Sequence, residues 1–372
     1  MTDIIIGDIH LDMKSGDKNF MAYQHLFFEQ ILKYTTNNNI RYMIFLGDIF
    51  TNKQNINIEI MDYTLEIFDK MAKLVDEIIL INGNHVIYHK NSYDIDSVTT
   101  VFKNRSNLEN VSVFKEYLIK DDYLFVNWKN TREEYIELFN KIPNKNKIKY
   151  IFGHFELFGF MQSRFSENSK LNSTKKEDIF NQFPNLKKII SGHYHTPQHL
   201  DNVFYPGVPY QLAWSDYGME LGFYTLDKSK FKFHENKYEI FEHINIESES
   251  DITDYVIPDI PYNKYYKITY NNPKFDDMVQ EFKTALDKKG HKTTLISTFD
   301  VFSDEETSDI PDNIELSESK SKQNSVEMNI EGIFMDYIYS IELAKEDLDI
   351  LYDRFNLLYK ETKMEVAQSL EI

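Results

Sequence analysis

Five short segments of this chain end an apolar run with glycine and then present metal-binding side chains. They are Gly7-Asp8-Ile9-His10, Gly47-Asp48, Gly83-Asn84-His85, Gly153-His154 and Gly192-His193-Tyr194-His195. Asp8 and His10 stand one residue apart, so both can fan from one strand end onto a single ion; His193 and His195 repeat that spacing. Asp48 is placed to bridge, because a carboxylate can reach two ions. Asn84 offers a neutral carboxamide oxygen, and His154 a further imidazole. The chemistry such a set supports is two-metal hydrolysis, in which cations about 3.5–4 Å apart share a ligand and activate a water. Mixed oxygen and nitrogen donors suit Mn, Fe or Zn, and with no cysteine in the chain no sulfur favours a softer metal. His85, next to Asn84, is the candidate non-ligand imidazole. Imidazoles as a class exchange a proton near neutrality, so one placed there can stabilise a phosphoryl oxygen or protonate a leaving oxygen.

Taken singly, a Gly-Asp after a strand reads as a turn, and a lone histidine as a structural one. Together and in this order, unrelated turns are a poor account of all of them. Before each segment lies a run that reads as a buried strand: Ile4-Ile5-Ile6, Tyr42 to Leu46, Ile78 to Ile81, Tyr150-Ile151-Phe152 and Ile189-Ile190. Continuous β-branched or aromatic runs closed by glycine indicate parallel strands covered on both faces. In open α/β sheets ligands gather at the carboxyl ends of such strands. Residues far apart in the chain are thereby expected at one rim.

Helix-compatible apolar spacing covers 19–34, 58–74 and 132–141. After His195 the pattern turns to short strands and turns, around Val203-Phe204-Tyr205, Pro206-Gly207, Leu221 to Tyr224 and Phe231 to Phe241, which predicts an antiparallel sheet completing the first domain. Strand 265–270, helix 274–288 and strand 292–299 then suggest a small α+β module. Residues 301–327 are acidic and poor in large apolar residues, as expected of a disordered linker. Beyond them Ile333, Phe334, Tyr337, Ile338 and Ile341 make one helical stripe, and Leu348, Leu351, Tyr352, Phe355 and Tyr359 a second. The expected division is 1–245 for the main α/β domain, 246–300 for a capping domain, 301–328 for the linker and 329–372 for a helical tail.

At 372 residues the chain is long enough for two domains and an appendage, and 42% hydrophobic content is ample for globular cores. No run reaches the roughly 18–20 apolar residues of a membrane span. The start of the chain has no basic segment or cleavage site, so an intracellular address is expected. The net charge of −19 opposes binding to phosphates, yet the acidic segment 304–318, which has no Lys or Arg, carries much of that excess. Basic residues cluster at Lys141, Lys145, Lys147 and Lys149 and at Lys170, Lys175 and Lys176, where solvated surface lysines are the simpler reading.

The series Gly-Asp-x-His, Gly-Asp, Gly-Asn-His, Gly-His and Gly-His-x-His resembles the calcineurin-like metallophosphoesterases. More narrowly the chain is similar to the Mre11/SbcD nucleases, and within them to the phage recombination endonuclease subunits. That match rests on Gly47-Asp48-Ile49-Phe50, Gly153-His154-Phe155-Glu156 and Tyr205-Pro206-Gly207-Val208-Pro209. The resemblance implies an α/β fold: a metallophosphoesterase sandwich of mixed sheets flanked by helices, with a capping domain and a C-terminal helical hairpin. It implies two divalent ions, with Mn²⁺ expected: one on Asp8, His10, Asp48 and His195, the other on Asp48, Asn84, His154 and His193, with His85 catalytic. Two positions depart from the family. Val86 stands where an acid often follows Asn-His, and Thr51 where some members have a histidine. The first is expected to alter what orients His85, and the second to remove a contact near the metals.

The leading expectation is a metal-dependent DNA nuclease working with a Rad50/SbcC-type ATPase, contacted through residues 333–359, in DNA end processing, recombination and repair. The family also implies a homodimer, for which helix 58–74 is a candidate interface unless its apolar face serves the monomer core. Competing readings are a hydrolase of small phosphoesters and a non-catalytic scaffold. The linker and tail argue against the first. Seven filled ligand positions argue against the second.

Overall fold

Successive residues of a strand point to opposite faces, and the buried runs of this chain use both. The computed structural model describes residues 1–297 apart from 53–54, 90–91, 104, 164–165 and 169–172. In it, Ile4, Ile6, Met43, Phe45, Ile78 and Leu80 enter one core, while their alternates Ile5, Tyr42, Ile44 and Ile79 enter another. The second core is shared with Tyr123, Phe125, Tyr150, Phe152 and Ile190, which come from a different sheet. Their own alternates, Leu124, Val126, Ile151 and Ile189, face a third core. The near-continuous apolar runs are thus explained by two sheets packed face to face with helices outside each.

The first sheet runs in the order Lys230–Glu235, Gly222–Asp227, Thr2–Ile6, Ile40–Phe45, Val75–Leu80, Val111–Val113. Its strands from Thr2–Ile6 onward are mutually parallel, and the two at the other edge are antiparallel. The second sheet runs Gln198–Leu200, Val203–Tyr205, Lys188–Gly192, Tyr150–His154, Tyr123–Val126, Tyr117–Lys120, with its outermost strands antiparallel to parallel neighbours. This is the expected α/β sandwich of mixed sheets.

The strands after His195 differ from the single antiparallel sheet predicted for them. Val203–Tyr205 lies parallel to Lys188–Gly192 and turns the second sheet's edge, while Gly222–Asp227 and Lys230–Glu235 extend the first. An unpaired edge exposes backbone polar groups, so each hairpin adds where a sheet would otherwise end.

Helices Lys18–Thr36 and Ile58–Ala72 cover the outer face of the first sheet. The first starts where Asp17 accepts hydrogen bonds from the amides of Asn19 and Phe20, at 2.8 and 3.2 Å. Its Phe20, Tyr23, Phe27, Phe28 and Ile31 are wholly buried, each worth about 1.5–3 kcal/mol. In the second helix Ile60, Ile67 and Met71 enter this core, and Tyr63 stays half-buried beside it. Helix Arg132–Lys141, capped by Thr131, covers the second sheet.

A separate three-stranded parallel sheet, Phe241–Ile246, Tyr265–Tyr270 and Lys292–Ser297, packs against helix Asp276–Lys288 around its own core. Its first strand lies astride the expected division at 245/246. Phe241 and Ile240 still belong to the main core, so the chain passes between cores inside a strand. The expected linker 301–328 and tail 329–372 lie outside the described residues. Among the described residues no helix is long and apolar enough to cross a membrane.

Candidate metal centre

Parallel strands bring their carboxyl ends to one rim, and the glycine segments follow those ends. Glycine is required there by crowding. A Cβ on Gly83 would overlap the Asp48 carboxylate, and one on Gly192 would overlap Asp8 Oδ1. At Gly47, φ of +132° adds a backbone that L side chains avoid, and a Cβ would meet the His154 ring. Three polar residues also hold positive φ, namely His10 at 41°, Asp48 at 38° and His193 at 93°. Non-glycine residues in that region cost about 1–2 kcal/mol each, and these three cluster at a single rim.

Asp8 is 1% exposed; its Oδ2 accepts the His193 amide at 2.8 Å, and its Oδ1 has no hydrogen-bond partner. His10 is buried as well, with Nδ1 3.0 Å from Thr51 Oγ1 and Nε2 unpartnered. The His10 and His195 rings lie 5.1 Å apart, centre to centre. Asp48 accepts the His85 amide at 3.0 Å on Oδ1 and faces His154 Nε2 at 3.3 Å with Oδ2. Asn84 Oδ1 sits between two imidazoles, 3.0 Å from His154 Nε2 and 3.1 Å from His193 Nδ1. His154 Nδ1 lies 2.9 Å from the Leu46 carbonyl. A carbonyl only accepts, so Nδ1 carries a hydrogen, and Nε2 is the nitrogen turned to the aspartate and asparagine oxygens, the one whose lone pair a cation would take in exchange for its proton. Ligand atoms of Asp8, His10 and His195 gather within 4.8 Å of one another, as do those of Asp8, Asp48 and His154. Asp8 therefore belongs to both groupings, and Asp48 to the second.

Burial governs the charge of these groups. It pushes the Asp8 carboxyl up to about 6, against the opposing pull of His154. It pushes His10 and His193 down to about 3. At Asp48 burial is outweighed by His154, His10 and His85, which hold the carboxyl well below the usual range. At His154 burial is outweighed by Asp48 and Asp8, which raise it to about 9. Dense carboxylates and imidazoles with buried unpartnered atoms form a donor set that fits hard or borderline divalent cations.

His85 is exposed at the mouth, its ring centre 5.4 Å from that of His10. Its Nδ1 lies 3.0 Å from the Thr51 carbonyl. The structure thus brings all eight candidate residues together. The two departures from the family read differently in three dimensions. Val86 is wholly buried in the main core, and Thr51 supplies contacts to both His10 and His85 rather than removing one.

Several supporting residues gave no signal in the sequence. Trp128 lies against the His193 ring at 5.2 Å, and Tyr135 donates from its hydroxyl to the His154 carbonyl at 3.1 Å. Tyr210 donates to the Ile9 carbonyl, and Gln24 to that of His10 at 3.3 Å. The Tyr-Pro-Gly-Val-Pro segment buttresses the rim, with the Val208 amide on the His195 carbonyl at 3.0 Å and Gly207 against Gly7. The lysines of 141–149 precede strand Tyr150–His154 and so lie toward the end opposite His154. There Lys149 pairs with Asp122 at 2.9 Å and Lys145 bonds Gln182 at 2.6 Å.

Residues 1–197 match the calcineurin-like phosphoesterase family. Over 365 residues the chain is 23% identical to exonuclease subunit 1 of Enterobacteria phage T4, covering 96% of this chain and 98% of that protein. A crystal structure of a Vps29 single mutant from Entamoeba histolytica matches at 11% identity and a TM-score of 0.30, covering 64% of this chain and all of that one.

Proposed function

The chain belongs to the calcineurin-like phosphoesterases, and from that premise we propose that it is a two-metal DNA nuclease acting at DNA ends. One observation carries the reading: Asp8 Oδ1 and His10 Nε2 are buried with no hydrogen-bond partner, on two residues that share one cluster of ligand-type atoms. Leaving polar atoms buried and unpaired costs about 1–3 kcal/mol each, a cost that a bound cation removes. DNA as substrate is supported by the likeness, along nearly the whole chain, to an exonuclease subunit.

In this reading Asp8, His10, Asp48 and His195 hold one cation, and Asp48, Asn84, His154 and His193 the other, with Mn²⁺ the favoured ion. Asp48 is the proposed bridge because its ligand atom lies within 4.8 Å of those of Asp8 and His154, one from each set. Bound divalent cations supply Lewis-acid polarisation of a phosphoester and a more acidic water. The protein's own part is positional. His154 is held by Leu46, and the backbone amides of His85 and His193 fix the two carboxylates. His85 is the proposed catalytic residue. With Nδ1–H on the Thr51 carbonyl, its Nε2 is the nitrogen left to act, and in the imidazolium form the Nε2–H can stabilise the departing oxygen or give it that proton, leaving the neutral ring.

We further take 1–245 as the catalytic domain, 246–300 as a capping domain and 329–372 as a partner-binding tail. Residues 333–359 are the proposed contact for a Rad50/SbcC-like ATPase, with a homodimer as the working assembly inside a cell. The test is direct. Purified protein with Mn²⁺ is expected to degrade linear duplex DNA and to leave p-nitrophenyl phosphate esters largely intact. The reverse preference makes it a small-phosphoester hydrolase, and inactivity on both with metals bound makes it a scaffold. Truncation after residue 328 is expected to spare nuclease activity and abolish co-purification with the ATPase.

A further inference from the structure

The loop after Asp48 touches both histidines that lie beside it in space. Thr51 places its Oγ1 3.0 Å from His10 Nδ1 and its carbonyl oxygen 3.0 Å from His85 Nδ1. The loop itself is held by Asp12, a carboxylate only 7% exposed. One Asp12 oxygen accepts the Thr51 amide, and the other accepts the Asn52 amide at 2.7 Å. Alongside, the amides of His10 and Leu11 donate to the carbonyls of Asp48 and Ile49, at 3.0 and 2.9 Å. The two loops are therefore laced together, and Asp12 closes the lacing at its far end.

The proton positions follow from donor chemistry. A carbonyl has no hydrogen to give, so His85 Nδ1 carries one, and Nε2 is the nitrogen left free to exchange a proton. His10 Nε2 is the ring nitrogen left without a hydrogen bond, and His10 is one of three residues whose ligand atoms gather within 4.8 Å. A cation there requires its lone pair, which puts the hydrogen on Nδ1 and makes the Thr51 hydroxyl its acceptor.

We propose that Thr51, held by Asp12, is a positioning residue that sets two imidazoles at once, His10 through its hydroxyl and His85 through its carbonyl. The inference rests on the proposed function in treating His10 as a ligand and His85 as catalytic. The two handles are chemically separable. A side-chain substitution removes the hydroxyl alone, whereas only a displaced backbone removes the carbonyl. Loss of the first should weaken one metal position. Loss of the second should slow turnover with the metals in place.

The experiment compares wild type, Thr51→Val, Thr51→Ser and Asp12→Ala. Mn²⁺ affinity is measured by calorimetry, kcat and KM on linear duplex DNA, and histidine tautomers by nitrogen NMR of the metal-free protein. Thr51→Val keeps the shape, and is expected to weaken one of two Mn²⁺ sites about 10–100-fold, with activity recovering at high Mn²⁺. Thr51→Ser is expected to restore the affinity. Asp12→Ala is expected to lower kcat up to about 10²-fold even at saturating Mn²⁺, with KM little changed, and to leave the His85 ring a mixture of tautomers. Wild-type Mn²⁺ affinity in Thr51→Val overturns the hydroxyl's role. A single Nδ1–H tautomer of His85 in Asp12→Ala overturns the carbonyl's role. Should Asp12→Ala fail to fold, the Val and Ser pair and the His85 tautomer in wild type decide; an Nε2–H form in wild type sinks the carbonyl contact. Wild type that binds two Mn²⁺ but spares DNA defeats the nuclease reading alone, since the Thr51→Val loss of affinity still upholds the inference. Wild type that binds no Mn²⁺ defeats both.

Discussion

Asp3 and Asp8 bracket the same strand, each 1% exposed, and their surroundings treat them in opposite ways. Asp3, at the amino end, is saturated. Arg41 grips both oxygens at 2.9 and 2.7 Å, the Tyr42 amide donates at 3.3 Å and the Tyr123 hydroxyl at 2.8 Å. Because Tyr123 comes from the second sheet, this carboxylate also ties the two sheets together. Asp8, at the carboxyl rim, receives one amide bond, while Oδ1 makes no hydrogen bond and faces His154 Nδ1 at 3.7 Å. A buried carboxylate that the protein satisfies in full is structural. One held by a single bond, beside a His10 nitrogen that also lacks a partner, has a lone pair available to a ligand. The amino end spends its charge on folding and the carboxyl rim keeps its charge for ligands.

That contrast is broken most severely at Asp48. Asp48→Ala is expected to abolish DNA cleavage and to weaken both metal sites together, because the proposed bridge is shared, while leaving the circular-dichroism spectrum unchanged. Two fully occupied Mn²⁺ sites in the variant would transfer the bridge to Asp8, which the geometry places in both ligand groupings. His85→Ala comes next. Both metals should remain and turnover should fall, by about 10²–10⁴-fold if its task is proton transfer. Lost metal would place His85 inside the coordination shell instead.

The amino end should answer in stability and not in chemistry. Asp3→Asn removes the charge that Arg41 needs, and breaking a buried pair costs about 3–5 kcal/mol. Arg41 keeps 23% of its side chain in solvent, so a loss nearer about 2–3 kcal/mol is expected. It would be read from urea unfolding, with kcat per folded molecule unchanged. A fall in kcat at full folding would mean that the two ends are coupled through the strand.

What the sequence could reveal follows the same division. The candidate ligands stood out because each follows an apolar run and its glycine, and a strand's end is a local property. The double covering of those strands was legible too, since Ile4-Ile5-Ile6 and Ile78 to Ile81 leave no polar face. Sheet membership was not. Val203–Tyr205 and Gly222–Asp227 look alike as short strands, yet they complete different sheets, and pairing across such separations has no local mark. Thr51 read as an absence because a hydroxyl is a weak signal beside a histidine, and half of its contribution is a main-chain carbonyl that any residue would carry. Asp12 and Trp128 were silent for a similar reason: their roles come from where two loops and a strand end meet.

The smallest effect is also the one that separates the two aspartates most cleanly. Mn²⁺ binding only the folded chain should stabilise it by about 2.7 kcal/mol at a hundred times Kd, visible as a rise in Tm that chelator reverses. Asp8→Asn should lose most of that rise. In chelator, however, the variant should lose little or no stability relative to wild type, because a carboxyl that burial raises is a cost to the folded chain in its charged form. The new amide oxygen can take over the His193 amide, and no other hydrogen bond is forfeited because Oδ1 had none. Burial already raises the Asp8 carboxyl to about 6, so the folded chain has little to gain from that charge until a cation arrives. A large loss of stability for Asp8→Asn without metal would show that the carboxyl rim, like the amino end, uses its aspartate to hold the fold.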